Sequence, residues 1–557
     1  MRRLTPLCAL ALLSACSPNS AETEIQAATE LKPVQINETR FRNDIKALSS
    51  DEFEGRAPTT HGEKLTLEYL SKAFADMGLK GAFQGSFLQP VPMVTYTADE
   101  NQQITLADLP FQYRKDIVVS SRHDNGGVDI QNAPLVFVGY GINAPEYGWN
   151  DYQDLDMKGK IAVILVNDPG FARPDSGKFN GKAMTYYGRW SYKFEEASRQ
   201  GALGALIIHD TEPAAYPWSV VENSWTGPQQ DLVLSKAEQD SRVQVEGWLT
   251  LDTAMKFFDK AGLQLPNLMA RAADSPINLP LQQTANIAFK NKAEYANSYN
   301  VVATLPGNQQ ADEHILFTGH WDHIGMDDTK EGDKIYNGAM DNASGIAGIL
   351  EIARQLSDNA KQGHGLARSV TFIATTGEEQ GLLGSRHYAA NPIYPIDKTV
   401  AVLNLDSTNI FGKTKDFTIV GKGKSELERY LEDAVKGQNR VATAEKNPAN
   451  GGFFRSDHFS FAKLGVPAVF AGGGSEPVDE ATANYKTQMQ ATMKGCYHNV
   501  CDEYHEEWDL SGAIQDLEVY YQVTRTLGNS QDWPGYYAGT EFNSLRPAKT
   551  ELAGATK

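Results

Sequence analysis

Acidic and imidazole side chains stand directly after several apolar segments in the second half of the chain. They are His320 and Asp322 after the run 315–318, Glu378 and Glu379 after the run 370–375, and Asp406 after the run 400–405. Because ligands bind beyond the carboxyl ends of strands in α/β sheets, we expect these side chains to lie close together. Carboxylates mixed with imidazoles suit Zn²⁺, and Mn²⁺ or Co²⁺ less specifically. The pattern therefore predicts metal chemistry at one edge of a sheet.

Two further segments carry the same residue types. Asp341 lies in the run Gly-Ala-Met-Asp-Asn-Ala-Ser-Gly, and His498 lies in the run Tyr-His-Asn. Each segment also has an ordinary structural explanation, since Asp341 could cap a helix and a single histidine is often a packing residue. Paired glutamates after a glycine, as at 378–379, are commonly a solvated turn. The joint occurrence of all five segments favours a metal site.

The elements that must position these residues follow from the pattern after Asn300. Short apolar runs alternate with helical periodicity, which predicts an α/β sheet with helices on both faces. The predicted strands are 301–305, 315–318, 370–375, 400–405 and 468–471. The predicted helices run from 344 to 356 and from 425 to 436, with Ser425 as the N-cap of the second.

The first half of the chain has a different pattern. A helix is predicted over 63–77, where apolar residues recur at helical spacing before Gly78. A long β-rich region follows, with buried strands predicted at 135–138, 161–166 and 205–208. A helix is predicted over 191–200, just before the last of these strands. This organisation indicates more than one domain.

Composition excludes several classes of function. The chain has 557 residues, a formal charge of −19 and a pI near 5.1. An acidic balance argues against a nucleic-acid surface and against electrostatic docking on anionic lipid. Four cysteines are too few for a disulfide scaffold, and no apolar run is long enough to span a bilayer.

The N-terminus has the features of an export signal. Arg2 and Arg3 precede a short apolar run that ends in Leu-Ser-Ala-Cys at Cys16. This ending resembles the lipobox of bacterial lipoproteins, which implies cleavage after residue 15, lipidation of Cys16 and an outer-membrane location facing the periplasm. A plain cleaved signal is the alternative. Cleavage leaves 49 basic against 70 acidic residues, a charge of −21. We interpret 16–37 as the lipidated cysteine with a flexible tether.

The segments around 300–509, together with 44–79 and its Phe-Glu-Gly-Arg run, resemble the di-zinc aminopeptidases that include bacterial leucine aminopeptidases and glutamate carboxypeptidases. The order His-x-Asp, Asp-Asn-Ala-Ser-Gly, Gly-Glu-Glu, Asn-Leu-Asp, Tyr-His is complete. The resemblance implies two Zn²⁺ ions and a general base. The implied roles are Asp341 as the bridge, His320 and Asp406 at one ion, Glu379 and His498 at the other, Glu378 as the base, and Asp322 as the carboxylate behind His320.

The resemblance also implies a fold. It is a three-layer α/β/α peptidase domain with a mixed central sheet, phosphorylase/hydrolase-like, carrying an inserted β-rich domain. The insert resembles the protease-associated domain. This resemblance is based on the run Gly-Lys-Ile-Ala at 159–162 and on the predicted helix with Glu-Glu-Ala at 195–197. The predicted divisions are 1–15 (signal), 16–37 (tether), 38–92 (first peptidase part), 93–284 (insert and flanking strands), 285–535 (main peptidase part) and 536–557 (tail).

Four residues near the predicted site have open roles. Cys496 and Cys501 flank His498, and an oxidising compartment favours a disulfide between them over a structural zinc site shared with His505. His458 is expected near the substrate by resemblance. His323 is interpreted as a wall residue of the site, with an additional metal ligand as the alternative.

The expected function is an aminopeptidase acting on peptides with a free N-terminus. Two metals can share a hydroxide and polarise the scissile carbonyl, while Glu378 transfers the proton to the leaving amine. The alternatives are a glutaminyl cyclase-like acyltransferase, a carboxypeptidase, and a non-enzymatic receptor on the same fold. The sequence shows no clear basic cluster for a substrate carboxylate, which disfavours the carboxypeptidase. Side-chain preference and oligomeric state are not predicted.

Overall fold

The computed structural model describes residues 36–546. The predicted signal, the lipidation site Cys16 and most of the predicted tether lie outside the described residues, as does the end of the predicted tail. Within residues 36–546, none of the helices combines the length and apolar character needed to cross a membrane.

The strands are numbered along the chain. They are β1 Lys80–Gly81, β2 Leu88–Ala98, β3 Gln103–Leu106, β4 Leu109–Pro110, β5 Ile117–Ser120, β6 Gly127–Phe137, β7 Asn143–Ala144, β8 Trp149–Asn150, β9 Ile161–Leu165, β10 Gly204–His209, β11 Pro228–Leu232, β12 Val245–Thr250, β13 Leu279–Leu305, β14 Gln310–His320, β15 Gly325–Met326, β16 Ile335–Tyr336, β17 Arg368–Thr375, β18 Thr399–Asn404, β19 Asp416–Ile419, β20 Val441–Ala444 and β21 Ala468–Phe470.

The helices follow the same scheme. They are α1 Glu38–Leu48, α2 His61–Met77, α3 Pro169–Ala172, α4 Trp190–Arg199, α5 Thr211–Ala214, α6 Trp218–Trp225, α7 Lys236–Ser241, α8 Leu251–Lys260, α9 Leu265–Asp274, α10 Gly345–Lys361, α11 Leu383–Ala390, α12 Leu427–Gly437, α13 His458–Ala462, α14 Glu480–Thr492 and α15 Ser511–Gly528. Short 3₁₀ turns connect several of them, including Asp51–Arg56.

The second half of the chain builds a mixed sheet in the order β21-β18-β14-β17-β13. The first four of these strands are parallel to one another, whereas β13 runs antiparallel to β17. On its other side β13 pairs antiparallel with β2, which pairs with β11 at the edge. The α/β sheet predicted from the alternation of strands and helices is confirmed.

Helices cover both faces of this sheet and complete three layers. On one face, Ile373 and Val402 pack with Tyr388 of α11 and Phe461 of α13. On the other face, the rings of Phe74 on α2 and Phe372 on β17 are 6.0 Å apart. Helices α10 and α15 pack on the sheet as well. Because successive strand residues point to opposite faces, the apolar runs predicted as buried strands supply both cores.

The insert has its own sheet in the order β13-β6-β9-β10-β12-β5. Strands β6, β9, β10 and β12 are parallel, and β5 is antiparallel at the edge. The insert predicted as β-rich also contains helices: α3 to α9 lie between its strands, α4 matches the helix predicted over 191–200, and α4 and α8 pack on β10. Parallel neighbours require crossover connections, and these helices provide them.

Strand β13 belongs to both sheets. Its first part, Leu279 to Lys290, pairs with β6, and its second part, from Asn291 onward, pairs with β2. The predicted divisions at 92/93 and 284/285 fall inside β2 and β13. The insert is therefore joined to the rest of the described chain by continuous strands.

One predicted helix start differs from the structure. The N-cap of α12 is Glu426 without a side-chain cap, whereas Ser425 was predicted there. The carboxylate of Glu428 instead accepts the backbone N–H groups of Gly423, Lys424 and Ser425. This carboxylate satisfies the donors of the preceding turn, so the serine hydroxyl is not needed as a cap.

Candidate metal centre

Three parallel strands end beside one another and carry predicted ligands at their carboxyl ends. His320 is the last residue of β14 and pairs in register with Thr375, the last residue of β17. Thr318 pairs with Asn404, the last residue of β18. Glu378 and Glu379 come just after β17, and Asp406 comes just after β18. The register therefore places the groups at one edge, as the sequence predicts.

The turn that carries Asp341 is held by the amide of Asn342. This amide donates to the carbonyls of His320 (3.2 Å) and Leu405 (3.1 Å), and its oxygen accepts from Gly345 and Ser407. One side chain thus joins the Asp341 turn to the ends of β14 and β18.

Gly338 at the start of this turn has a positive φ of 55°. A Cβ there would lie 2.4 Å from the Asp341 carbonyl and 2.6 Å from the imidazole of His323. Only glycine fits this position without displacing the ligand turn.

Five side chains form two groups of donors that share Asp341. Its Oδ1 lies 3.2 Å from Nε2 of His320, which lies 3.4 Å from Oδ1 of Asp406. Its Oδ2 lies 3.3 Å from Nε2 of His498, which lies 2.9 Å from Oε2 of Glu379. The two oxygens of one carboxylate therefore point to two different imidazoles. This is the arrangement expected of a bridging ligand.

The spacing of these donors fits zinc. Tetrahedral zinc with bonds of ~2.0–2.1 Å places its ligand atoms about 3.3 Å apart. The four distances between donors range from 2.9 to 3.4 Å. The ligand atoms of His320, Asp341 and Glu379 lie within 4.8 Å of one another. The residues present therefore fit a divalent ion in each group.

The electrostatics of the centre favour a cation. Burial opposes a charged His498, but Asp341 and Glu379 raise its pKa to about 10. Burial also opposes a charged His320, whose pKa is raised well above its usual value, chiefly by Glu378 and Asp406. The histidines in turn hold the pKa of Asp341 below its usual range, against the effect of burial. Crowded carboxylates thus draw positive charge into the site, and a divalent ion would supply it.

Glu378 lies next to the ligands without joining either group of donors. Burial raises its pKa well above the usual value, and Asp406 adds to this effect. The backbone N–H of Glu378 donates to the carboxylate of Asp322 at 3.2 Å. Adjacent Glu378 and Glu379 thus differ in role, since only Glu379 contacts His498.

Asp322 is fully buried, but its predicted contact needs correction. Nδ1 of His320 donates to the backbone carbonyl of Asp322 at 3.0 Å, whereas the Asp322 carboxylate lies 3.9 Å away. Burial raises the pKa of this carboxylate to about 7. Asp322 therefore orients the imidazole of His320 through its backbone carbonyl and holds the backbone of Glu378 through its carboxylate.

His323 contacts a predicted ligand directly. It is 1% exposed, and its Nδ1 donates to Oε1 of Glu379 at 2.7 Å. Its Nε2 is buried without a hydrogen bond partner among the described residues. His323 therefore fixes the oxygen of Glu379 that faces away from His498, which is a closer role than the wall position predicted for it.

Two further residues support the centre and were not predicted as part of it. Arg56 is 1% exposed and donates to the carbonyls of Trp321 (2.9 Å) and Gly338 (2.9 Å), which flank the ligands His320 and Asp341. Asp502 accepts the backbone N–H groups of Met340 (2.9 Å) and Asp341 (3.1 Å). The Phe-Glu-Gly-Arg run was the only signal in the sequence for Arg56.

The predicted disulfide between Cys496 and Cys501 is confirmed. It closes a short loop that carries His498, whose side chain is 37% exposed. The ring of Tyr497 stacks on the imidazole with centroids 3.9 Å apart. The disulfide and the stacked ring of Tyr497 restrict the position of His498, a candidate ligand on an exposed segment.

The position of His458 differs from the expectation of a substrate contact. Its side chain is fully buried. It packs against Phe453 and Phe470, and burial lowers its pKa to about 3. No surface of this imidazole is open to a substrate, so its role is one of packing.

Comparison with known proteins agrees with this geometry. Residues 300–522 match the model of peptidase family M28. A probable leucine aminopeptidase of Arthroderma benhamiae is 32% identical over 188 residues, which cover 33% of this chain and 46% of that protein. Aminopeptidase NAALADL1 of Rattus norvegicus is 29% identical over 161 residues, which cover 28% of this chain and 20% of that protein.

Solved structures give a weaker similarity over a greater length. An aminopeptidase from Aneurinibacillus sp. strain AM-1 aligns over 92% of this chain and 97% of its own chain, with 19% identity and a TM-score of 0.48. The two curated relatives are matched over less than half of their lengths. The matched range 300–522 includes every candidate ligand, from His320 to His498.

Proposed function

We propose that the chain is a zinc-dependent aminopeptidase with two metal ions. The observation that carries this proposal is the shared carboxylate of Asp341, whose two oxygens face His320 and His498 at 3.2 and 3.3 Å. The match of residues 300–522 to peptidase family M28 supports it. His320, Asp341 and Asp406 would hold one ion, and His498, Asp341 and Glu379 the other.

When bound, two zinc ions supply Lewis acidity toward the scissile carbonyl and acidify a water molecule. The Glu378 carboxylate takes a proton from the attacking water and returns it to the leaving amine. Burial raises the pKa of Glu378, which makes its ionised carboxylate a stronger base toward water and favours the protonated form that donates to the leaving amine. Asp322 holds the backbone of Glu378 through its hydrogen bond and so fixes the approach of the base.

The excess of carboxylates also suits a substrate with a free amino group. Asp406 is 17% exposed, so part of its carboxylate remains accessible beside the ligands. A protonated N-terminus is attracted to such a site, whereas an acetylated one carries no charge. This preference distinguishes the aminopeptidase from the carboxypeptidase. A glutaminyl cyclase-like acyltransferase is less well supported, because the complete double set of donors favours two ions.

The test compares matched peptides with free and acetylated N-termini. The protein is loaded with zinc, and hydrolysis is measured with and without a chelator. We expect cleavage of the free peptides only, and loss of cleavage on metal removal. Equal cleavage of acetylated peptides would reject the aminopeptidase, and full activity in chelator would reject the metal mechanism.

A second measurement tests the base. Glu378→Gln should keep the zinc content of the wild type while kcat falls by at least ~100-fold, in line with loss of general acid–base catalysis. Glu212→Gln, on the exposed surface of the insert, is the matched control. Retained turnover in Glu378→Gln would contradict the assignment.

We also propose that the protein is exported and anchored by a lipid on Cys16, facing the periplasm from the outer membrane. The N-terminal pattern supports this proposal, as does the disulfide, since such bonds persist in oxidising compartments. Cys16→Ser should move the protein from the membrane fraction to the soluble periplasmic fraction. An unchanged distribution would contradict the lipid anchor.

A further inference from the structure

The base loop, residues 377–382, carries Glu378 and Glu379 and is closed by its own backbone. The carbonyl of Glu378 accepts the N–H groups of Gly381 and Leu382, both at 2.9 Å. These two bonds fold the residues after Glu379 back onto the base residue, and helix α11 begins at the next residue. Contacts that fix Gly381 or the start of α11 therefore also fix the backbone of Glu378.

One side of the base loop rests on apolar residues of β2 and β11. Leu232 of β11 and Met93 of β2 pair directly in the sheet and form a buried cluster with Val91 and Leu383. Gly377 has a φ of 63°, and a Cβ there would lie 3.0 Å from Cε of Met93. Strand β11 belongs to the insert by sequence, since it lies between α6 and α7. The insert therefore forms part of the surface on which the base loop lies.

A buried aspartate of β11 reaches the base loop through an arginine of α11. Asp231 is 4% exposed, and its Oδ1 accepts a hydrogen bond from Nη1 of Arg386 at 3.2 Å. The same nitrogen of Arg386 donates to the carbonyl of Gly381 at 3.4 Å. Arg386 therefore links β11 to the residue whose N–H group binds the carbonyl of Glu378.

The other oxygen of Asp231 connects this contact to the sheet of the insert. Its Oδ2 accepts a hydrogen bond from Nη1 of Arg242 at 2.8 Å. Nε of Arg242 donates to the carboxylate of Glu246 on β12 at 2.7 Å, and Glu246 is 3% exposed. A continuous series of ion pairs therefore runs from β12 through Asp231 and Arg386 to the base loop.

The charges in this series favour an ionised Asp231. Burial opposes its charge, but Arg242, Arg386 and Arg122 hold the pKa of the carboxyl well below its usual range. A buried carboxylate that keeps its charge binds a guanidinium group strongly and in a defined direction. The Arg386 side chain is 41% exposed, so packing alone does not fix it and the carboxylate of Asp231 sets its direction.

We propose that Asp231 and Arg386 are positioning residues, through which the insert sets the orientation of Glu378 and Glu379. The two residues are not donors of the metal centre, so they act through the backbone of the base loop. A displacement of ~1 Å at a reacting group can lower turnover by ~100-fold, so a modest shift of this loop is sufficient for a measurable effect. The proposal rests on the aminopeptidase function proposed above and deepens it, because it makes turnover depend on a contact between β11 and α11.

A role in stability alone predicts a different result from a positioning role. If these contacts only held the insert in place, their loss would lower the free energy of unfolding and leave the kinetics of the folded enzyme unchanged. If they position Glu378, kcat falls at saturating zinc and peptide while KM changes little, because the base acts in the transition state. The separation of kcat from KM therefore distinguishes the two roles.

The first variants change Arg386, whose exposure allows substitution without disturbing the core. The zinc-loaded full chain is assayed with Leu-Leu-amide. For Arg386→Gln we expect kcat to fall by about 5- to 20-fold, with KM changed by less than about twofold. Arg386→Lys keeps the charge beside Asp231 and should recover part of kcat. The matched control is Arg114→Gln, which breaks an ion pair with Glu100 within the insert and replaces an arginine of similar exposure, 43%.

A second variant tests the path through Asp231. Asp231→Asn keeps the shape of the side chain but removes its charge, so it should lower kcat in the same way. Because both changes break one contact, Asp231→Asn combined with Arg386→Gln should have about the same kcat as Arg386→Gln alone. If Asp231→Asn does not fold, the variants of Arg386 decide the proposal by themselves.

A measurement that does not depend on turnover follows the base loop directly. Hydrogen exchange of the zinc-loaded full chain is read by mass spectrometry on peptides that cover 376–390. Exchange in this segment should be about 3- to 10-fold faster in Arg386→Gln than in the wild type, because the loop loses the contact with β11. The control Arg114→Gln should leave the exchange of this segment unchanged.

Three results would overturn the positioning role. The first is an unchanged kcat in Arg386→Gln, the second is an equal loss of kcat in Arg386→Gln and Arg114→Gln, and the third is losses of kcat that multiply in the double variant. If the wild type cleaves no peptide, the proposed aminopeptidase function fails instead. Hydrogen exchange then decides the positioning role separately, with faster exchange of the base loop in Arg386→Gln as the supporting result and equal exchange as the contrary one.

Discussion

Arg56 provides a test of how the metal centre is positioned. Its guanidinium donates to four buried carbonyls, those of Leu48 (2.6 Å), Trp321 (2.9 Å), Asn337 (2.6 Å) and Gly338 (2.9 Å). Trp321 directly follows the ligand His320, and Gly338 begins the turn that carries Asp341. The substitution Arg56→Met keeps the length of the side chain but removes all four donors and the charge.

The magnitude follows from these four contacts. A buried carbonyl that loses its donor costs ~1–3 kcal/mol, and the four costs do not add because the loop can relax. Since four buried carbonyls lose their donor and their costs add only in part, we expect the free energy of unfolding to fall by about 3–5 kcal/mol. Loss of the common anchor for the two ligand segments should weaken zinc binding by about 10- to 100-fold, the usual effect of residues that orient ligands.

The sign of the change in zinc affinity separates two roles of Arg56. Burial lowers the pKa of Arg56 to about 10, and Asp502 and Asp322 oppose the shift, so its charge acts on the centre. Removal of a positive charge alone would strengthen the binding of a cation. Weaker binding therefore shows that positioning dominates, whereas tighter binding by Arg56→Met would refute the reasoning.

The assay is a chelator competition for zinc, together with urea unfolding followed by circular dichroism. Arg56→Lys keeps the charge but cannot reach four carbonyls, so its zinc affinity should also fall. Arg271→Met, an exposed arginine of the insert, controls for removal of an arginine as such. Wild-type stability in Arg56→Met would also contradict the account, because four buried carbonyls would then have lost their donor without cost.

Two further predictions concern the His498 loop and a histidine far from the centre. Replacing both Cys496 and Cys501 by Ser should weaken zinc binding about tenfold, because the disulfide restricts the loop that carries His498. Calorimetry with zinc measures this loss. An unchanged zinc affinity would show that the disulfide has no role in the site. Burial lowers the pKa of His314 to about 4 in the folded protein, so its neutral form is favoured there. In the unfolded chain the histidine has its ordinary pKa of ~6.5. Below pH ~6.5 the unfolded chain therefore binds a proton that the folded protein does not bind. Stability should therefore fall by up to about 3 kcal/mol as the pH drops from ~6.5 to ~4. His314→Phe keeps the stacking on Tyr394 and should flatten the pH profile of urea unfolding, while parallel profiles would contradict the prediction.

The clustering of the candidate ligands could be predicted because their positions depend on local features. Strands β14, β17 and β18 are short apolar runs, and a polar residue after such a run lies at the carboxyl edge of a parallel sheet. Asp341 does not follow a strand, and its inclusion in the predicted site depended on the glycines at both ends of its turn. These features are readable because strand ends and turns are encoded by neighbouring residues.

Other parts of the centre depend on contacts between distant segments. Asp502 accepts the N–H of Asp341 across 161 positions of the chain, and no spacing rule connects the two residues. The ion pair between Glu195 and Lys463 likewise joins segments that lie 268 positions apart in the chain. His458 follows an aspartate in a segment close to the centre, yet the packing of Phe453 and Phe470 decides that its ring is buried.

The long strand β13 has a consequence for attempts to exchange the insert. Its partner changes from β6 to β2 between Lys290 and Asn291, without an intervening loop. Deleting one residue near this point would turn every later side chain to the opposite face of its sheet. Deleting two would keep the faces but shift α4 by about 7 Å along the strand direction. A chimera with a foreign insert must therefore keep the length of this strand, and any change in its residue count must be even so that side chains stay on the same face. The insert is therefore not a freely exchangeable module.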